Sequence, residues 1–296
     1  MSKVRKVYLF GNGFDIDLGL KSRYSDYAES RFWPFRPGNN RFRLGEFLNR
    51  KKEIDTWFDL EAALGEYALL ASRNAIDEAV LRQDKIAFEL LLSTFTEYIG
   101  LQQRNTIPDK ESLAAALIRH FSTDDADSRI FTFNFTDLND LAAGITSYNK
   151  FEYQHIHGSW KEDSLIMGFG DTVLNVAPEY NFMRKSFSAK YKPPTVIREL
   201  LDAQTVVLFG LSMGDIDYSY YDYFFRRLST PEESYDKEPK RIIIFAYDDA
   251  ARMSILDNLY QKTNAQLSNL NALNSFRMVT IKAEKKQDIL KLIKTI

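Results

Sequence analysis

The 296-residue sequence contains no cysteine, which removes disulfides, thiolate nucleophiles and every cysteine-bearing zinc site at once. Histidine is nearly as scarce, and His120, His155 and His157 are all the chain offers for imidazole chemistry. Net charge is close to absent: 39 Lys and Arg against 41 Asp and Glu leave a formal −2. That balance argues against a general grip on nucleic acid driven by counterion release. No apolar run reaches the length of a bilayer-spanning helix, and the first one, residues 7–10, is too short for a signal-peptide core. A cytoplasmic protein without a membrane partner is expected. What is present, 45% hydrophobic and 27% charged residues with 13 Gly and 8 Pro, is the composition of a folded globular chain. A chain of this length buries about three quarters of its extended surface.

Several short apolar runs end in Gly, Asn or His. Residues 7–10 meet Gly11, 130–133 meet Asn134, 153–156 meet His157 and Gly158, and 205–209 meet Gly210; runs 242–247 and 276–281 complete the set. Their near-continuous hydrophobicity suits strands covered on both faces, and predicts an α/β fold with a doubly wound, mostly parallel sheet. Between the first two runs the apolar spacing turns helical, through Leu44, Phe47 and Leu48, then Trp57, Leu60, Leu64 and Tyr67, then Phe88, Leu91, Leu92, Phe95 and Ile99. Pro108 leads into a further helix ending at Phe121, and residues 124–128 read as the turn into the next strand. Residues 30–122 are thus expected to be a large helical layer or subdomain inserted after the first strand of a single domain, 1–296. Loops 36–40 and 231–234 are expected to be mobile.

Phe10-Gly-Asn-Gly-Phe-Asp15 stands where the first strand turns into a helix. Glycines there let the backbone approach a phosphate, and amides at a helix start point at the anion. A second turn, Gly210-Leu-Ser-Met-Gly214, is followed by Asp215 and Asp217. In an open α/β sheet both loops would line a crevice outside the carboxyl ends of the strands. Helix capping by Asp15, Ser212 and Asp215 stays open as the structural alternative. Asn134, at a strand end in Thr132-Phe-Asn-Phe-Thr136, either starts a turn or holds a ribose hydroxyl or a water. His155 and His157, two apart, share a strand face. Without an evident further ligand they suggest acid–base work by one imidazole more than metal binding. His120 reads as structural. Glu61, four residues after Trp57, reads as a solvated helix face, with a lean over the crevice as the alternative. Six aromatics between Tyr218 and Phe225 predict burial, as core, as a homo-oligomer face or as an adenine stack.

In order, Gly11-Asn-Gly-Phe-Asp-Ile-Asp-Leu-Gly-Leu20 with Tyr24 and Asp26, Trp57-Phe-Asp-Leu-Glu61, Phe133-Asn-Phe-Thr136, His155-Ile-His-Gly158 and Gly210-Leu-Ser-Met-Gly-Asp-Ile-Asp217 resemble the AbiH family of bacterial abortive-infection proteins. That family is in turn similar to the sirtuin-like superfamily. The resemblance implies a sirtuin-like Rossmann fold holding NAD, with Asn134 and His157 as the catalytic pair at the nicotinamide ribose. Gly11, Asn12, Gly13, Phe14, Asp15, Gly210, Ser212 and Asp217 would form the cofactor cradle. A chain without cysteine cannot build the sirtuin zinc ribbon, so no zinc and no protein deacetylation are expected. Leu18 and Leu211 replace histidines common in AbiH proteins, and Thr136 replaces an Asp of sirtuins. The implied activity is an antiphage effector hydrolysing the nicotinamide–ribose bond of NAD, triggered by a phage-derived or partner protein. Two alternatives are a non-catalytic sensor of NAD or a nucleotide signal, and a nuclease-like toxin gathering a divalent metal on Asp15, Asp215 and Asp217.

Overall fold

The computed structural model describes residues 5–36, 41–54, 58–73, 75–123, 127–148, 150–192, 195–214, 217–231, 238–262 and 266–296. Trp57, Asp215, turn residues 124–126 and all but the first residue of each expected mobile loop lie outside them. In chain order the elements begin with β1 (Arg5–Phe10), α1 (Asn12–Asp17), α2 (Tyr24–Glu29), α3 (Arg43–Ile54), α4 (Leu60–Ala71), α5 (Glu78–Asn105) and α6 (Leu113–Phe121). There follow β2 (Asp127–Thr132), α7 (Leu138–Ala143), β3 (Tyr153–His155), α8 (Val196–Asp202), β4 (Thr205–Phe209) and α9 (Asp222–Ser229). The chain closes with β5 (Arg241–Ala246), α10 (Asp249–Lys262), α11 (Leu267–Leu273), β6 (Ser275–Thr280) and α12 (Lys286–Ile293). Short 3-10 helices occupy Pro178–Met183, Lys185–Phe187 and Tyr218–Tyr220. Two compact units result: a sheet unit of Met1–Leu20, Ile107–Ile156 and Pro193–Ile296, and a helical unit of Lys21–Thr106 and His157–Lys192.

In the sheet unit all six strands are parallel, in the order β3-β2-β1-β4-β5-β6. The continuous apolar runs explain this: residues 7–10 of β1 and all of β4 are buried, and period-2 geometry sends alternate side chains to opposite faces. One face carries Tyr8, Phe10, Val207, Phe209, Ile243 and Phe245 into a core with α6 and α12. The other carries Val7, Leu9, Val206, Leu208, Ile242 and Ile244 into a core with α8, α9 and α10. Phe14 shows the scale of such packing. It stacks on Phe10 at 4.2 Å and meets Phe209 edge-on, and burying a side chain of its size contributes about 2 kcal/mol. Three aromatics of the run beyond β4 are core as well: Tyr221, Phe224 and Phe225 are sealed in the second face, Tyr220 packs partly buried against it, and Tyr223 is exposed.

The helical unit differs from the expected insertion 30–122. It starts earlier, stops before α6 and takes in a second segment after β3. The reason is packing. Leu113, Leu117, Ile118 and Phe121 of α6 are buried against the sheet, with Phe121 5.7 Å from Tyr8. Asp17 fixes the start of α6 by accepting from Ala114 N at 2.8 Å, beside the Ser112 cap, and burial raises the Asp17 pKa. In the helical unit, α5 lies on α3, and its buried Asp84 accepts from the Tyr67 and Tyr180 hydroxyls at 2.7 and 3.0 Å. Among the described residues no helix is long and apolar enough to cross a membrane.

Candidate functional site

In the sheet unit the strand order reverses between β1 and β4, and both glycine turns leave the carboxyl ends of those strands. Gly11 N donates to Phe209 O at 2.9 Å, prolonging the ladder, and Gly13 N donates to Gly210 O at 3.0 Å. A Cβ on Gly13 would lie 2.5 Å from Gly210 Cα, and Gly210 itself has φ +70°. The glycines are therefore explained by one loop lying against the other. The hydrogen bonds also bear on the expected anion cradle. Gly11, Gly13 and Phe14 amides are engaged, the last with Gly11 O at 2.9 Å, so a phosphate here would meet Asn12 and Ser212, whose side chains are exposed. The Phe14 side chain faces the core, and Asp217 is half-buried, its carbonyl accepting from Tyr220 N.

Asp15 does not cap α1. Its carboxylate is 2% exposed and accepts from Asn134 Nδ2 at 2.7 Å and from Thr136 Oγ1 at 2.8 Å. Both donors are neutral. Burial pushes its pKa up to about 7, against the lowering effect of the Thr136 and Asn134 hydrogen bonds. Asn134 sits two residues beyond β2, 5% exposed, and its backbone is held on both sides. Asn134 N donates to Thr132 Oγ1 at 3.1 Å, and its carbonyl accepts from His155 Nδ1 at 3.0 Å. A carbonyl only accepts, so His155 carries its proton on Nδ1. The bond to Asp15 uses one of the two Nδ2 hydrogens and fixes which way the amide faces, leaving its oxygen and its second N–H for other partners.

His155 and His157 do not share a strand face, because β3 ends at His155. His157 instead opens a closed turn of the helical unit. Its carbonyl accepts from Ile166 N at 2.8 Å, and Ser159 Oγ accepts from Lys161 N at 3.1 Å. Gly158 has φ +70°, and a Cβ there would lie 1.8 Å from Ser164 O; the glycine of the His-Gly-Ser motif is what this turn demands. Lys185 is delivered by a short backbone pairing, Phe169 N to Met183 O and Lys185 N to Phe169 O, each 3.0 Å. Glu61 comes from the first turn of α4, whose Asp59 cap accepts from Glu61 N and Ala62 N at 3.1 Å.

These three side chains meet. Lys185 Nζ lies 2.9 Å from Glu61 Oε2 and 3.1 Å from His157 Nε2, while Gly168 N donates to Glu61 Oε1 at 3.2 Å. Lys185 and His157 are 3% exposed and Glu61 6%. The solvated helix face expected for Glu61 is thus wrong, because its carboxylate is turned inward onto a buried ammonium. Sequence reasoning missed Lys185 altogether, and no motif or periodicity marks it. Thr136 is the last residue of the Asn134 motif, but its bond to Asp15 has no signal in the sequence. Among the described residues no three His, Asp or Glu side chains are grouped as a metal site requires.

Comparison with known proteins adds one match. A family model described as "Bacteriophage abortive infection AbiH" matches residues 7–235, which take in every residue discussed above as a site candidate. No curated protein matches the chain.

Proposed function

The chain belongs to the AbiH family, so its role lies in bacteriophage abortive infection, and from that premise we propose that it acts there by hydrolysing the nicotinamide–ribose bond of NAD. The observation that carries this reading is the Asn134 amide pinned by Asp15 beside the reversal of strand order. An order of 3-2-1-4-5-6 is that of Rossmann sheets, which take dinucleotides across that reversal. The same reading takes the family as sirtuin-like, by the resemblance of its motifs, and that resemblance implies the same ligand.

Nicotinamide leaves as a neutral base from a cationic ring, so bond breaking needs little acid help. The site must stabilise an oxocarbenium-like ribose and hold a water in line. Asn134 Oδ1 accepts a hydrogen bond from that water or from a ribose hydroxyl. Ionised Asp15 stands behind the amide, with the sign of charge that favours a cationic transition state. A carboxylate repels a pyrophosphate, so in this reading the ribose faces Asp15, and Asn12 and Ser212 serve the phosphates. Neither glycine turn, 11–14 or 210–214, contains Lys or Arg. His157 is the second residue on which turnover depends.

The test is incubation of the purified chain with NAD, following free nicotinamide, beside Asn134→Ala and His157→Ala. Release should fall by at least about 100-fold in Asn134→Ala, the scale of removing one group that acts on the transition state. Release surviving both substitutions overturns the assignment. NAD bound tightly without release in the wild type replaces hydrolysis by sensing.

A further inference from the structure

We propose that Glu61 and Lys185 are positioning residues that lock His157 as a neutral imidazole protonated on Nδ1, so that it serves as a hydrogen-bond donor and not as a base. The part of this that concerns turnover rests on the NAD reading above; the lock itself does not.

An ammonium has three donors and no lone pair. Lys185 Nζ directs one donor to Glu61 Oε2 at 2.9 Å and faces His157 Nε2 at 3.1 Å, so Nε2 must be the acceptor. A neutral imidazole carries a single proton, which then sits on Nδ1. A proton added to Nε2 would set two donors face to face and two positive charges 3.1 Å apart. While Lys185 stays in place, His157 has no lone pair with which to take a proton from water or a ribose hydroxyl. The one proton that His157 carries then sits on Nδ1.

The arrangement is held from all three sides by backbone. Gly168 N fixes the second Glu61 oxygen, the pairing with Phe169 fixes Lys185, and the turn closed by Ile166 N fixes His157. Gly168 is needed for this: at φ +143° a Cβ would lie 2.0 Å from Met183 O and would push the Lys185 segment away. Each buried ion costs several kcal/mol to desolvate, and an apolar pair of similar volume would pack as well or better. Stability alone therefore does not account for a buried Glu and Lys aimed at an imidazole; defining one tautomer does.

The test is ¹H–¹⁵N NMR of the full chain labelled in histidine, with the three rings assigned by single His→Gln variants. His157 in the wild type should be the Nδ1–H tautomer. In Lys185→Met the Nε2–H form should appear and dominate, and in Lys185→Arg, which still donates, the Nδ1–H form should persist. Nicotinamide release should fall at least tenfold in Lys185→Met, with KM little changed, and recover in Lys185→Arg. An Nε2–H tautomer in the wild type overturns the lock outright and needs no variant to fold. An unchanged tautomer in Lys185→Met does the same. The correct tautomers without any nicotinamide release would leave the lock standing and defeat the NAD reading, while release with the wrong tautomer would do the reverse.

Discussion

Asp15 in the sheet unit and Glu61 in the helical unit are both carboxyls withdrawn from water, 2% and 6% exposed, but they are compensated in opposite ways. Asp15 has two neutral donors, an amide and a hydroxyl. Glu61 has a full positive charge at 2.9 Å and a backbone N–H. Neutral donors offset only part of the desolvation penalty, and the group that results changes its protonation near pH 7. A buried cation offsets more, at the cost of withdrawing a second charge from water. One arrangement produces a carboxyl that titrates in the working range; the other produces a fixed dipole that orients what it touches. Asp15 is thus a carboxyl that can respond to pH, and Glu61 one set directly against a cation.

The sharpest way to break this contrast is Glu61→Gln. Removing one partner leaves Lys185 buried without a counter-charge, and such losses are about 3–5 kcal/mol. The expected result is a fall of that size in unfolding free energy by denaturant titration. The double variant Glu61→Gln with Lys185→Met should lose less than the two single losses added together, since it removes the orphaned charge. A single loss below about 1 kcal/mol, the range of exposed ion pairs, would mean that the pair is not compensated burial at all.

Asp15→Asn should act with the opposite sign. The folded pKa of Asp15 is raised from 3.8 to about 7, so between those values the folded chain binds the proton that the unfolded chain has released. The stabilising contribution of this group is complete below about pH 3.8 and is lost as pH rises through about 7. The loss amounts to roughly 4 kcal/mol by the conversion of 1.36 kcal/mol per pKa unit. Unfolding measured from pH 4 to 8 should show the wild type losing stability with rising pH and Asp15→Asn losing less by about that amount. Asp17 and Asp84, also raised by burial, give slopes of the same sign in both proteins and cancel in the difference. Identical slopes would show that Asp15 is not the titrating carboxyl.

The sequence carried these two sites unequally, for reasons that are physical. Residues 7–10 and 205–209 declare themselves as buried strands because both faces are apolar, and their ends place the glycine turns, as the end of the run 130–133 places Asn134, without any tertiary knowledge. Glu61 was misread because a helix pattern compares a residue only with its own helix, and beside Trp57 and Tyr67 a lone Glu looks like a solvated edge. Its partner lies in a segment with no periodicity, so nothing local signals the pairing. The packing of α6 on the sheet is illegible for a related reason: an apolar stripe says that a helix is covered, not by what. The glycines teach a subtler lesson. Gly11, Gly13 and Gly210 satisfy the pattern of a phosphate loop, yet the space they leave is taken by one another's backbone. A missing Cβ looks the same in sequence whichever neighbour requires it.

The smallest expected effect gives the finest test of how Asp15 is held. Thr136→Val keeps the shape of the side chain and removes one of the two donors, for a direct loss of about 1 kcal/mol. The larger information is in the titration. The Thr136 hydrogen bond lowers the Asp15 pKa, so without it the pH-dependent loss of stability should extend above pH 7, whereas Thr136→Ser, which still donates, should leave it where it is. If neutral hydrogen bonds are all that hold this carboxylate, the Val variant must shift the profile and the Ser variant must not. A profile unmoved by both would mean that a charge supports Asp15 as Lys185 supports Glu61, and the distinction between a titrating site and a fixed one would disappear.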